Sequence, residues 1–349
     1  MKKVGVSIFV VLLWSLTFRA NAESYALVIG IDEYQDKAHI TSLSTACADA
    51  KALAQTLQAK ALFKANHVQL LVSDGSLKPT RKEILNQISQ WQKQGKAEDV
   101  FFVFFMGHGV ALDTESYLLP YDVNLTSPQT LQETAISAKE WKPALSSIQG
   151  KATLLCLDIA HGSPSLNPTF FPQPIRWTDA QLQRLALDKG ANGITLFSAK
   201  PQQRSHDWNR KQRGYFGYFL EQAYKGEAAD GAGVLSVKSL FDYLAKAIPG
   251  AVLRDEGGIQ DPYSVQSGNI QPIPLATGLS AGKGGESAVP SQIGATPEDK
   301  YEAGFQKAYE LSKQKKYDEA KQEAQQLLKA DGNSVHLLYF LANINWDVL

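Results

Sequence analysis

The sequence predicts an α/β domain with a mainly parallel sheet flanked by helices, followed by a small all-α helical-repeat tail. Short, almost purely apolar runs alternate with helical patterns over residues 25–248. Strands of this kind are typical of parallel sheets covered by helices on both faces. Small and polar residues follow two of the runs, at His108 and from Asp158 onwards. Functional sites in such sheets gather at the carboxyl ends of the strands, so both places are candidate sites.

The individual elements follow in chain order. Apolar runs predict strands at residues 25–31, 67–74, 100–106, 151–158 and 193–200. Helical periodicity predicts helices within residues 44–62, 80–94, 137–150, 214–226 and 236–248, the second of them opened by a Thr80 cap. Residues 117–124 form a short extended segment. Four prolines within residues 163–174 predict a loop before the last strand.

The first 22 residues have the pattern of a secretory signal peptide. Two lysines precede an apolar stretch of 15 residues, and residues 20–22 (ANA) fit a small-x-small cleavage site. The apolar stretch is short for a membrane span, which takes about 20 residues. We therefore expect an exported chain, periplasmic or secreted, that begins at Glu23 and keeps no stable membrane span. A retained N-terminal anchor is the alternative.

Charge balance argues against a nucleic-acid partner. Loss of the signal peptide removes three of the 35 basic residues and none of the 35 acidic ones, which leaves 32 against 35. Such a chain has no basic field to hold a phosphate backbone. A peptide or a protein is the expected partner, and the sequence leaves the oligomeric state open.

Two further segments follow the domain, which we place at residues 23–268. Residues 269–297 are rich in Gly, Ser, Ala and Pro without periodicity, which predicts a flexible linker. Residues 298–349 predict helices near 298–312 and 317–330, then a turn and a third helix, a pattern that resembles a tetratricopeptide-type repeat. One repeat and part of another are fewer than such arrays usually need, so we expect the tail to pack against the domain or a partner.

Several motifs, in the right order, resemble those of the caspase-like cysteine peptidases, the group that includes metacaspases. They are ALVIGIDEY, ACADAKALAQTL, VFFVFFMGHG, YLLPYD, LLCLDIAHGS, GYFGYFLEQA and IQDP, which together cover residues 24–264. The resemblance implies a caspase-like fold and makes His108 the retained histidine of a His–Cys dyad. Caspases carry the nucleophile roughly 50 residues after this histidine, and position 160 lies 52 residues after it.

Position 160 holds alanine, where the family motif D-x-C carries the nucleophilic cysteine. A methyl group has no lone pair and cannot form an acyl-enzyme, so only His108 remains of the dyad. The sequence therefore predicts a pseudopeptidase that binds a peptide or protein partner. One alternative is a cysteine endopeptidase, cleaving after Arg or Lys, whose nucleophile has been replaced or engineered away. A second alternative is a structural protein that acts through its helical tail alone.

Two cysteines and a serine are the other candidate nucleophiles. Cys156 is buried in the predicted strand about 13 Å before position 160, and Cys47 lies far away in sequence, so neither a thiol nucleophile nor a disulfide is expected. Ser163 carries a hydroxyl close to the missing nucleophile and stays a candidate. The histidines are not spaced like the ligands of a metal site, so we expect no metal and no cofactor. The sequence leaves calcium dependence open.

The role of Asp158 can be interpreted in two ways. The resemblance implies that its carboxylate forms the acidic floor of a subsite for a basic side chain, because carboxylates pair well with Arg. The alternative is a capping or structural Asp at the end of a strand.

Overall fold

The structure, a computed structural model, describes residues 22–59, 62–161, 167, 169, 171, 176–187, 193–265, 273–280, 307–308, 311–312, 314 and 316–330. The strands in chain order are β1 (Ser24–Gly30), β2 (Val68–Val72), β3 (Val100–Met106), β4 (Gly109–Leu112), β5 (Glu115–Leu118), β6 (Ile136–Ser137), β7 (Ala152–Asp158), β8 (Gly193–Phe197), β9 (Asp207–Trp208), β10 (Arg213–Gly214), β11 (Leu235–Ser236), β12 (Tyr263–Val265) and β13 (Pro274–Ala276). The helices are α1 (Ala46–Ala59), α2 (Arg81–Gln94), α3 (Pro128–Thr134), α4 (Ala138–Ser146), α5 (Asp179–Leu185), α6 (Tyr215–Gln222), α7 (Val237–Glu256) and α8 (Tyr317–Ala330).

A six-stranded sheet in the order β12-β8-β7-β3-β1-β2 forms the centre of the domain. The pairs from β2 to β8 are parallel, and β12 runs antiparallel to β8. Gly30 lies opposite Met106, which in turn lies opposite Asp158. The carboxyl ends of three strands therefore meet at one edge of the sheet. The predicted mainly parallel α/β fold is confirmed.

Both faces of the sheet are buried under helices, which explains the near-continuous apolar strands. Residues with odd numbers in β3 pack with α2, α4 and α5 on one face, and residues with even numbers pack with α1, α6 and α7 on the other. The strands β3 and β7 are buried over their whole length. Such two-sided burial removes the polar alternation that an exposed sheet face would require.

Local sequence signals set the helix boundaries. The predicted Thr80 cap of α2 is confirmed, because its hydroxyl accepts the backbone N–H of Glu83 at 3.2 Å. The start of α1 is held by a residue distant in sequence. The carboxylate of Asp32 accepts the backbone N–H groups of Ala46 and Cys47 at 2.8 and 3.1 Å. These two hydrogen bonds fix the loop between β1 and α1 at the edge where the strands end.

The domain extends into the predicted linker. Residues 274–276 form β13, which pairs with β11, and Leu275 and Ala276 are buried. The composition of residues 269–297 did not predict this strand, because a short strand that pairs with a distant one needs no periodicity in its own sequence. The predicted strand at residues 193–200 ends at Phe197.

Among the described residues of the tail, α8 has the predicted bounds. Ala308, Ala320 and Ala324 form an apolar cluster with Leu253 near the end of α7, so this part of the tail packs against the domain. Nearly all of the predicted signal peptide and most of the predicted linker lie outside the described residues. So do most of the first predicted tail helix, residues 298–312, and all of the third, and the repeat assignment stays a prediction. No helix in the described ranges is long and apolar enough to cross a membrane.

Candidate functional site

His108 follows β3 and is held by the loop after β1. Its backbone N–H donates to the Tyr34 hydroxyl at 2.7 Å, and its imidazole Nε2 lies 2.8 Å from the carbonyl oxygen of Thr41. A carbonyl only accepts hydrogen bonds, so Nε2 carries the proton and Nδ1 keeps its lone pair. Close approach of Tyr34 requires glycine at position 107, where an added Cβ would lie 2.9 Å from the hydroxyl.

The imidazole of His108 is uncharged at neutral pH. The side chain is buried, and burial lowers its pKa to about 4 against the opposing effect of the Thr41 carbonyl. A neutral imidazole with an unprotonated nitrogen can accept a proton, which is the function of a general base.

Ala160 and His108 occupy equivalent positions after two adjacent strands. Each residue lies two positions beyond the aligned pair Met106 and Asp158, and the N–H of Gly107 continues the pairing by donating to the Asp158 carbonyl at 3.2 Å. The Ala160 carbonyl accepts the backbone N–H of Ser205 at 2.8 Å. The buried methyl group thus occupies the place at which the sequence predicts a nucleophile.

Cys156 is excluded as a substitute nucleophile by its position in β7. It lies opposite Phe104, on the sheet face that packs against α1 and α7, and it is fully buried. Burial raises the pKa of its thiol far above the ordinary value, which suppresses the reactive thiolate. Cys47 is also buried and the two cysteines form no disulfide. Ser163 lies outside the described residues.

Asp158 ends β7 with its carboxylate enclosed in the protein. Its Oδ1 accepts the hydroxyl of Ser205 at 2.6 Å and lies 3.2 Å from Nε2 of His161. The other oxygen, Oδ2, has no hydrogen-bond partner among the described residues. Burial opposes ionisation, but the charge of His161 and the hydrogen bonds outweigh it and lower the pKa of Asp158 below its ordinary value.

His161 is the cation that balances this buried carboxylate. Its side chain is 4% exposed and that of Asp158 is 1% exposed, so water screens the pair little. Burial favours the neutral imidazole, but the Asp158 carboxylate outweighs that effect and raises the pKa of His161 to about 9. Two neighbouring histidines therefore differ in charge at neutral pH: His108 is neutral and His161 is protonated.

A cleft of about 330 Å³ lies over this edge of the sheet. Its walls come from residues 42–44 after β1, from residues 204–207 after β8, and from His161 and Glu256. Asp158 does not line the cleft, because His161 and Ser205 stand at the wall and bond to its carboxylate.

Gln260 fixes the wall formed by the loop after β8. Its side-chain oxygen accepts the backbone N–H of His206 at 2.8 Å, and its side-chain nitrogen donates to the carbonyl of Ser198 at 3.1 Å. The His206 ring packs against Gly258, where an added Cβ would lie 2.5 Å from it. Burial lowers the pKa of His206 to about 4, so this imidazole is neutral as well.

Asp49 ties the hairpin β9–β10 to α1. Its buried carboxylate bonds to the Arg213 guanidinium and accepts the backbone N–H of Gly214 at 2.7 Å. Burial raises its pKa to about 7 although Arg213 acts in the opposite direction. Arg213 also pairs with Glu221 at 2.8 Å. This network positions the hairpin whose first residue, Asp207, lines the cleft.

The three residues singled out in the sequence, His108, Asp158 and Ala160, lie at or just after the carboxyl ends of the adjacent strands β3 and β7. The structure adds residues that sequence reasoning missed. They are Tyr34, Thr41, Ser205 and Gln260, which hold the site from other loops, and His161 in its role as counter-ion. Two of them lie in motifs that the sequence analysis quotes, Tyr34 in IDEY and Gln260 in IQDP. Within the described residues, no three His, Cys, Asp or Glu side chains are arranged to hold a metal ion.

A family model and a solved structure are similar to this chain. No curated protein matches the chain. A crystal structure of a protein from Geobacter sulfurreducens is similar at 16% identity, covering 74% of this chain and 100% of that one, with a TM-score of 0.49. The family model of the caspase domain matches residues 23–272, the span that holds the sheet, the cleft and His108. The chain belongs to the caspase-domain family.

Proposed function

We propose that this chain is an exported, catalytically inactive member of the caspase-domain family that binds a peptide or protein partner in its cleft. One observation carries the proposal. The position two residues after the end of β7, equivalent to that of His108 after β3, holds a methyl group. An acyl-enzyme requires a nucleophilic oxygen or sulfur there, whereas binding requires only the cleft and its hydrogen-bonding walls.

The hydroxyl of Ser205 does not replace the missing thiol. It contacts the Ser198 hydroxyl and donates a hydrogen bond to Oδ1 of Asp158 at 2.6 Å. The pKa of this carboxylate is lowered, which makes it a weak base for activating a hydroxyl. His108 is bonded to Thr41 through Nε2, which leaves Nδ1 as the nitrogen that would accept a thiol proton. The site therefore retains a base without the group that the base would activate.

Export remains part of the proposal. The first strand, β1, begins at Ser24, so cleavage after residue 22 removes no part of the sheet. Mass spectrometry of the native chain tests this point, with Glu23 as the expected first residue. An N-terminus at Met1 would contradict export by signal cleavage. The tail, which packs on α7, is proposed as a second contact surface.

The central test compares the chain as it stands with Ala160→Cys and with the double variant Ala160→Cys/His108→Ala. Each is assayed with fluorogenic peptides that carry basic or uncharged residues, with and without calcium. We expect no cleavage by the chain itself and cleavage by Ala160→Cys that disappears in the double variant. The same peptides, labelled, should bind the unmodified chain in fluorescence anisotropy.

Two outcomes would contradict the proposal. Cleavage by the unmodified chain would show an enzyme, and its loss in Ser163→Ala would then identify the nucleophile. Absence of peptide binding, together with capture of a partner that depends on the tail, would favour the structural alternative.

A further inference from the structure

The buried acid at the edge of the sheet is already neutralised by the protein itself. Asp158 is 1% exposed, and its Oδ1 receives hydrogen bonds from His161 and Ser205. Nε2 of His161 lies 3.2 Å from that oxygen and also 3.2 Å from the Asp158 backbone oxygen. One N–H is thus directed at both acceptors of the same residue, which fixes the ring against the carboxylate.

The imidazole stands between the acid and the cleft. His161 lines the cleft, whereas Asp158 lies behind it with Oδ2 unpartnered among the described residues. A ligand cation could approach this carboxylate only by displacing the His161 ring or by lying beside the positive charge of that ring. Like charges at close range in a site of low dielectric repel strongly.

We propose that His161 is a specificity-determining residue, an internal counter-ion that makes the cleft select peptides with an uncharged polar side chain, over Arg or Lys, at the position facing His161. The inference rests on the proposed peptide binding and deepens it. An uncharged amide brings no second cation to this wall, and desolvation of an amide costs far less than that of a guanidinium.

Other charged groups at the cleft do not reproduce this effect. Asp207 accepts the hydroxyl of Thr45 at 2.8 Å, and the Glu256 carboxylate lies 3.5 Å from the hydroxyl of Tyr215. Arg204 adds a positive charge at the wall. Because these groups are unchanged in the variants below, their contribution cancels when variants are compared.

The test uses two fluorescent peptide pools with random flanks and one fixed residue, either Arg or its uncharged isostere citrulline. Binding is measured by anisotropy with the full chain, His161→Gln, and the double variant Asp158→Asn/His161→Gln. The matched control is His67→Gln, which removes an imidazole that lies beside Glu23 and Tyr25, outside the cleft. We expect the full chain and the control to bind the citrulline pool at least as tightly as the Arg pool. His161→Gln should shift the preference toward Arg about tenfold, and the double variant should lose that gain.

Preference of the full chain for Arg, lost in Asp158→Asn, would overturn the inference while leaving peptide binding intact. Absence of binding by every variant would instead overturn the proposed function and the inference with it. A further measurement uses the unmodified chain, so its result does not depend on whether the variants fold. The ¹⁵N signals of His161 should show both ring nitrogens protonated at pH 7 with the citrulline pool bound, and a neutral ring would refute the role.

Discussion

Replacement of His161 by Gln should remove a specific part of the pH dependence of stability. The pKa of His161 is raised from 6.5 to about 9 by Asp158, so the folded state holds this proton more tightly than the unfolded state. A raised pKa contributes stability that is complete below the unfolded value and is lost as the pH rises through the folded value. The window for the loss is therefore pH 6.5 to 9.

Linkage gives the size of the effect. Each unit of pKa difference corresponds to about 1.4 kcal/mol, and integration between pH 7 and 9 gives a loss of about 2 kcal/mol in the free energy of unfolding. The pair is almost fully buried, so water and salt reduce this value little. In His161→Gln no imidazole is present to release the proton, and the loss should disappear.

Urea unfolding at pH 7, 8 and 9, followed by circular dichroism, measures the difference. His206→Gln is the matched control, because the pKa of His206 is lowered to about 4 and its ring stays neutral throughout the window. This control should retain the slope of the unmodified chain. Asp49, with a pKa of about 7, titrates in all three proteins and cancels in the comparison. Equal slopes for the unmodified chain and His161→Gln would refute the buried ion pair as a source of stability.

Four further substitutions test contacts within the chain in the same unfolding assay. Asp49→Asn removes the charge bonded to Arg213 and should lower the free energy of unfolding by about 2 kcal/mol. Its control, Asp242→Asn at an exposed ion pair, should lower it by less than about 0.5 kcal/mol. Equal losses would contradict a stabilising network around Asp49. Gln260→Leu leaves two buried backbone groups without partners and should cost about 3 kcal/mol; an unchanged midpoint would show that the loops hold without it. Leu253→Ala should cost about 2 kcal/mol and speed tryptic release of the tail, and unchanged digestion would show that the tail does not depend on this contact.

An alanine at the predicted nucleophile position could be recognised from residue type and spacing alone. The apolar runs predicted β3 and β7, and adjacent parallel strands bring their carboxyl ends together whatever the loops do. His108 and Ala160 each follow one of these ends by two residues, so the local sequence was enough to assign both to the same edge of the sheet. The helix α8 was predicted equally well, because its signal is local periodicity.

Interactions between distant segments were decided by the tertiary structure. Asp158 was predicted as a floor for a basic side chain or as a structural turn residue, and nothing local showed that His161 would fold back onto its carboxylate. The hydroxyl of Ser205 reaches the same carboxylate from 47 residues away. Strand β13 escaped prediction for a related reason, since three residues paired with a distant strand carry no periodicity of their own.

The sequence by itself determined that the side chain at position 160 is no nucleophile, because a methyl group cannot become one in any fold. Tertiary structure decided the charges of the two histidines. Burial keeps His108 neutral, and contact with Asp158 keeps His161 protonated. Both residues are histidines with the same intrinsic pKa, so their difference arises only from the groups that the fold places around them.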